Sequence, residues 1–543
     1  MSFIRRFLRE AFVDLNSYVG ENLFVGKMGP QRLLLSFAAA STLAASGVNG
    51  QCPDYSIFSQ QKHEPYSTGR YQLSYMRPVP ACRTFNSSAV EQTLTDMQSV
   101  IKDPDLYRLF YNSFPNTLDT AVKWKGFAAN NSAEELTFLI TGDINAMWLR
   151  DSANQMQSYL SLLNASSSYN SIASLYRGVI NLQARYINEA PFCNSFQPPT
   201  ESGLPAEQNQ ATPDNFTPPE SNLTVFECKY ELDSLAAFLE ISTNYYEATG
   251  DIDFFRKFQW VDAINTIIAT TESLLIGTYA SNGSVNTIPY TWQRQTTVGT
   301  ETLSNQGRGN PVQSGTGLVR SAFRPSDDAT IYQLFIPANM MFSRYLDSAS
   351  NIMANIGNQR NLANHMHNFA GSIRTAITEY GIINDPTYGQ VYAYEIDGFG
   401  SANRMDDANI PSLLSAPFFG YLNVTDPIYQ NTRKFVLSKD DPYFMRGPVI
   451  SAVGGPHESF GLAWPMASII RIFTSSDTSE IQGQLKEIVS SSNGLGLIHE
   501  SINSFDETIW TRQWFSWANG LFGQCLLDLK ARGFTGVLGA SYQ

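Results

Sequence analysis

Charge is what this chain of 543 residues has least of: Asp, Glu, Lys and Arg make up 16% of it, where about 25% is usual. The little charge present leans acidic, with 49 Asp+Glu against 36 Lys+Arg and a formal net of -13. Without a basic surplus there is no electrostatic footprint for nucleic acid or for an anionic membrane surface. Histidine and cysteine are equally scarce, five of each, and no spacing among them resembles a zinc site. His365 and His367 lie two apart on a helical stretch, hence on different faces, which fits core or surface histidines better than metal ligands. Also missing are a Gly-x-Ser-x-Gly elbow, a Walker loop and a dinucleotide fingerprint; GFGSAN at 398–403 lacks the required spacing. No cofactor is therefore expected, and no metal: EF-hand spacing is absent, and only the Asp406–Asp407 pair leaves room for a cation.

What is present points to a large folded chain. Hydrophobic residues at 43% and aromatics at 13% suffice for a sizeable core, and the length admits two ordinary domains or one large barrel. With so few Lys and Glu, the surface must be built from Ser, Thr, Asn, Gln and Tyr. That suits a secreted protein handling a neutral polar ligand.

The N-terminal sequence carries the same message. Lys27 and Arg32 precede a short apolar run, Leu33–Ala45, which ends in small residues before Cys52. This is the layout of a secretory signal over 28–50, cleaved after Gly47 or Gly50, and too short to span a bilayer comfortably. A signal normally begins near its start codon, so translation is expected to start at Met28, with 1–27 an N-terminal extension. The rival reading is a type II anchor with a cytoplasmic tail, which would place the protein in the Golgi lumen; otherwise it is expected outside the cell, with no membrane insertion after signal removal. Cys193 and Cys228 flank a Pro-, Asn- and Gln-rich loop and are expected to pair, Cys52 with Cys82 would staple an N-terminal arm over 51–89, and Cys525 is left buried and reduced. Sequons at Asn86, Asn130, Asn164, Asn215, Asn222, Asn282 and Asn423 are expected to bear N-glycans.

From about residue 90 onward the recurring element is the amphipathic helix. Apolar residues at spacings of three and four run through Leu106–Tyr111, Ile172–Tyr186, Leu232–Leu239, Trp260–Leu275, Leu362–Tyr380 and Leu462–Phe473. A last helix is expected to carry Trp514, Trp517, Leu521, Phe522 and Cys525 on one stripe and to end at Gly533. Strand-like alternation is rare and short. Two loops, 194–221 and 279–317, are too long for plain connectors, and long loops on a helical scaffold are where binding chemistry sits. No linker divides the chain, so 90–543 is read as one all-α domain.

The scarce charges fall beside aromatics and Arg in five loop-like motifs: GDINAMWLRDS (142–152), FRPSDDA (323–329), DGFGSANRMDDANIPSLL (397–414), GPHESFGLAWP (455–465) and IHESINSFDETIWTRQWFSWANG (498–520). A sugar site needs this mixture, with aromatic faces for pyranose rings, polar groups for hydroxyls and two carboxyls for the glycosidic bond. Any one motif reads equally well as a helix N-cap or a surface ion pair. Five of them in so uncharged a chain shift the weight to a site.

Taken in order, these motifs, with IPANMMF after FRPSDDA, resemble glycoside hydrolase family 125, the metal-independent exo-α-1,6-mannosidases of bacteria and fungi. The resemblance covers most of the chain from about residue 90. It implies an (α/α)6 barrel with long active-site loops and an inverting mechanism that releases terminal mannose from an oligosaccharide or glycan. It places the general acid at Asp327 or Asp328, with Asp327 preferred, and the general base at Glu500. Two adjacent carboxyls resist ionising together, a reason for a raised pKa in the acid; the plain alternative is that Ser326 or Asp327 caps a helix from Ala329. His499 would orient Glu500 or bind a mannose hydroxyl. Trp148, Arg150 and Asp151 would bind the terminal mannose, with Arg404, Asp406, Asp407, His457, Glu458, Arg512 and Trp514 as further wall residues. The alternatives are a calcium-dependent α-mannosidase of related fold and an inactive glycan-binding relative.

Overall fold

A computed structural model describes residues 52–209, 211 and 213–543; the extension and expected signal over 1–50 lie outside the described residues. About 42% of the chain is helical and 13% lies in strands. The all-α expectation is therefore corrected: short strands are numerous, most of them two to four residues long at the mouths of helices.

The main helices, in chain order, are α1 (Leu149–Gln157), α2 (Ile172–Glu189), α3 (Leu232–Thr249), α4 (Trp260–Ser273), α5 (Ile336–Ile356), α6 (Arg360–Tyr380), α7 (Pro465–Phe473) and α8 (Ser516–Ala531). Helix α1 packs on α3 and α8, α3 continues to α5, and α8 continues to α7, while α2, α4 and α6 pack outside them. The difference in position shows in burial: every residue of α1 is buried, including Arg150, Asp151 and Gln155, whereas α6 buries one stripe of Ala363, Met366, Phe369, Ala370, Ile373 and Ile377. Helix α7 starts at Pro465, three residues later than the periodicity suggested, because proline fits the first turn and Leu462–Ala463 is taken up as a strand. Helix α8 likewise starts at Ser516, so Trp514 falls in the preceding loop and not on the helical stripe.

Strands tie the helix mouths together. Met147–Trp148, Ser195–Phe196 and Val225–Glu227 form one small sheet, and Leu462–Ala463, Ser501–Asn503 and Trp510–Thr511 form another. The two long loops are joined to each other, since Asp214–Thr217 pairs antiparallel with Thr291–Arg294. Cys193–Cys228 and Cys52–Cys82 are bonded and Cys525 is buried and free. Residues Cys52–Gln543 make up one compact unit, in which the arm is anchored by Tyr55 edge-on against Trp514 and by Arg77 on Asp119 at 2.7 Å. Among the described residues no helix is long and apolar enough to cross a membrane.

Candidate active site

A cavity of about 370 Å³ opens where α1, α7 and α8 begin, with Trp148, Trp464 and Phe515, the residues just before those helices, in its wall. Helix N-termini favour the negative groups gathered there. Of the residues singled out in the sequence, Trp148, Arg150, Asp151, Asp327, Asp328, His457, Glu458, Glu500 and Arg512 line it.

One wall is organised by Arg150, whose side chain is 4% exposed. Its guanidinium reaches Asp151 at 2.8 Å, Glu231 at 3.1 Å, Asp233 at 3.1 Å and Asp327 at 3.4 Å. Four carboxyls around one cation cannot all ionise freely. Burial pushes Asp151 up to about 6 and Asp233 up to about 7, in each case against the pull of Arg150. Glu231, fully enclosed, rises well above the carboxylate range through burial and the charge of Asp327. Asp327 goes the other way: burial alone would raise it, but Arg150, Lys229, a hydrogen bond from Glu231 and His457 hold it well below.

Its geometry agrees, because Trp148 Nε1 (3.3 Å), Asn194 Nδ2 (3.0 Å) and Arg150 Nη2 (3.4 Å) all donate to its Oδ1. Asn194 Nδ2 and Arg150 Nη2 also donate to Glu231, so the two carboxyls share two donors. Asp327 is 24% exposed, into the cavity, and sits at φ 66°, a backbone region that costs a non-glycine residue about 1–3 kcal/mol. No helix starts at Ala329; the next begins at Ile336, so Ser326 and Asp327 occupy a turn and cap nothing. The neighbour that competes with Asp327 for a proton is Glu231, not the adjacent Asp328.

Behind that turn, Ser326 Oγ lies 3.3 Å from Asp328 and 3.0 Å from Asp407. His457 Nδ1 is 3.5 Å from Asp328, and its imidazole is pushed up to about 10: burial alone would discharge it, but the hydrogen bond and charge of Asp328 prevail. His457 is thus a cation at neutral pH.

The other wall is the small sheet 462–463, 501–503, 510–511. Glu500, just before its middle strand, accepts from Thr511 Oγ1 at 3.0 Å and from Arg512 Nη1 at 3.1 Å. Arg512 is itself held by Asp143 and by Thr141 at 3.0 Å. Burial and the charge of Glu500 push Glu458 up to about 7, so Glu458 stays protonated well above the pH at which a free glutamate has ionised.

Five expected site residues do not reach the cavity. His499 is fully buried against Trp510 at 4.7 Å, and burial pushes it down to about 3, which leaves it neutral and unable to orient Glu500 from the cavity side. Trp514 gives its Nε1–H to Thr120 and packs on the arm. Arg404 pairs with Asp385 over Phe435, outside the site. Asp406 accepts the backbone N–H groups of Leu413 and Leu414 and shapes the turn there, and Asp407 supports Ser326 from behind. Among the described residues no cluster of His, Cys, Asp and Glu is arranged to hold a metal ion.

Several lining residues were missed. Glu227 and Lys229 line the cavity, Glu231 and Asp233 stand behind it, and Arg294 from the second long loop grips Asp214 (2.7 Å) and Glu227 (2.7 Å). The signal was available: four charges at alternate positions of FECKYELD (226–233), in a chain where charge is rare.

Residues 103–527 match the family model described as metal-independent alpha-mannosidase (GH125). The meiotically up-regulated gene 157 protein of Schizosaccharomyces pombe is 44% identical over 483 residues, 89% of this chain and 93% of that one. A solved structure of a Streptococcus pneumoniae metal-independent alpha mannosidase, in a non-productive complex with alpha-1,6-mannobiose, superposes with a TM-score of 0.71 at 31% identity. It covers 82% of this chain and 99% of its own.

Proposed function

This chain belongs to the metal-independent alpha-mannosidases of family GH125, and we propose that it removes terminal mannose from α-1,6-linked mannosides with inversion, on an (α/α)6 barrel. The observation that carries the reading is the pairing, in one cavity, of two carboxyl groups held by separate arginines, Asp327 by Arg150 and Glu500 by Arg512. The α-1,6 linkage is supported by the mannobiose bound in the related Streptococcus structure.

In this reading Asp327, ionised at rest and exposed to the cavity, faces the leaving oxygen as the acid, and the proton it relays is the one that Glu231 keeps beside it. The proton passes to the leaving oxygen as the bond breaks. Glu500 removes a proton from the attacking water, its two oxygens oriented by Thr511 and Arg512. Trp148, Arg150, Asp151 and Glu458 bind the terminal mannose, with His457 as the cation that balances Asp328.

Passage through the secretory route belongs to the same proposal. It is supported by the two disulfides and by the position of all seven sequon asparagines, each exposed. One experiment tests the activity: incubation with α-1,6-, α-1,2- and α-1,3-mannobiose, with proton NMR of the first product. β-Mannose from the α-1,6 isomer alone, undiminished by chelator, is expected. α-Mannose would refute inversion, a different preferred isomer would refute the linkage, and loss of activity restored by calcium would refute the metal-free mechanism.

A further inference from the structure

Both loops that deliver carboxyls to the cavity end in exposed rings. Phe460, two residues after Glu458, is 81% exposed, Phe505, five after Glu500, is 72% exposed, and Ile509 is 51% exposed. The backbone brings them together: Leu462 pairs with Asn503, Ser504 N donates to Gly461 O at 2.9 Å, and Asn503 N donates to Ile509 O at 2.9 Å. Continuing that antiparallel register places Phe460 beside Phe505 at the same end of the sheet. The chain turns outward there through Ser459 at φ 71° and Gly461 at φ 83°, so the exposure of Phe460 is enforced by a left-handed turn at a non-glycine residue.

We propose that Phe460 and Phe505 form a platform for the part of a mannose-containing glycan that lies beyond the bond being cleaved. This rests on the α-mannosidase reading above. In that reading the cavity of about 370 Å³ takes the terminal sugar, and a longer chain leaving past Glu458, which lines it, meets Phe460 two residues further on. Aromatic faces bind the apolar faces of sugar rings there and lose exposed apolar area in doing so. A protein partner fits less well: two Phe and one Ile bury at most about 600 Å², short of the roughly 800 Å² per partner of a stable interface.

The test compares wild type with the Phe460→Ala/Phe505→Ala double variant on α-1,6-mannobiose and on a longer linear α-1,6-mannooligosaccharide. The ratio of kcat/KM for the long substrate over the disaccharide is expected to fall about tenfold, with the loss in KM for the long substrate. A ratio unchanged by the double substitution overturns the platform, and an unchanged ratio with altered sedimentation would assign the patch to a protein contact instead. If wild type cleaves neither substrate, the α-1,6 reading has failed, and the platform is judged by calorimetry alone. Weaker binding of the long oligosaccharide by the double variant then supports the platform, and equal binding overturns it.

Discussion

Asp327 lies in a cluster where a single buried guanidinium touches four carboxyls, and its Oδ1 receives three donors. Glu500 lies beside a three-stranded sheet where one hydroxyl and one partly exposed arginine are its partners, and its charge helps push the neighbouring Glu458 up to about 7. Both walls serve one cavity with the same kind of functional group. The difference is in the enclosure of the neighbouring carboxyl: Glu231 beside Asp327 is fully buried and rises well above the carboxylate range, whereas Glu458 beside Glu500 is pushed up only to about 7. Environments that push like groups apart are how one pocket supports an acid and a base together.

The comparison breaks most visibly under removal of either carboxylate. Asp327→Asn and Glu500→Gln are each expected to lower kcat/KM on α-1,6-mannobiose by about 10²–10⁴-fold. Only the Asp327 variant should recover on an aryl mannoside whose leaving group needs no proton. Recovery by Asp328→Asn in its place would move the acid to the neighbouring residue.

Removing the cations should separate the walls by stability. Arg150→Met leaves Asp151, Glu231, Asp233 and Asp327 without their common partner, and breaking a buried set of this kind costs about 3–5 kcal/mol. Arg512, whose side chain is 20% exposed, should cost less, about 1.5–3 kcal/mol, when changed to Met. Chemical denaturation of both variants checks this; equal losses would mean that the two walls are equally dependent on charge.

A smaller effect comes from pH. Glu458 is pushed up to about 7, while an unfolded glutamate titrates near 4.3. Between those values the folded chain holds a proton that the unfolded chain has released, so stability falls as pH rises through this window, by at most about 1.4 kcal/mol per pH unit for this one group. Glu458→Gln should remove that share of the slope in thermal unfolding at pH 5 and pH 7. An unchanged slope would mean that Glu458 is ionised beside Glu500.

How far the sequence revealed these walls follows from what each is made of. Helices with one apolar stripe, such as Arg360–Tyr380, were legible because periodicity is a local property. The nine lining residues that were anticipated come from motifs where an aromatic and a carboxylate stand together. Glu231 and Asp233 were not anticipated because what draws them in is Arg150, at least 81 residues away in sequence, and Asn194 because it donates to Glu231 and Asp327; long-range pairing of this kind leaves no periodic trace. His499 and Trp514 failed for the opposite reason: they stand in the right motifs, but strand pairing turns His499 onto Trp510 and the late start of α8 turns Trp514 towards Thr120.

The finest distinction between the walls lies in single hydrogen bonds. Trp148→Phe removes the Nε1–H donor 3.3 Å from Asp327, and Thr511→Val removes the hydroxyl 3.0 Å from Glu500. Each deletes one charge-assisted bond, about 1.5–3 kcal/mol at most, so the two should reduce kcat/KM on mannobiose to similar extents. They should part when the leaving group is varied. A base engages water whatever leaves, so Thr511→Val should lower turnover of mannobiose and of an activated aryl mannoside alike. An acid matters only when the leaving oxygen needs a proton, so the Trp148→Phe defect should shrink as the leaving group improves. If instead the two variants respond identically across a series of aryl mannosides, Trp148 and Thr511 act on substrate binding, and the assignment of one wall to each proton transfer fails.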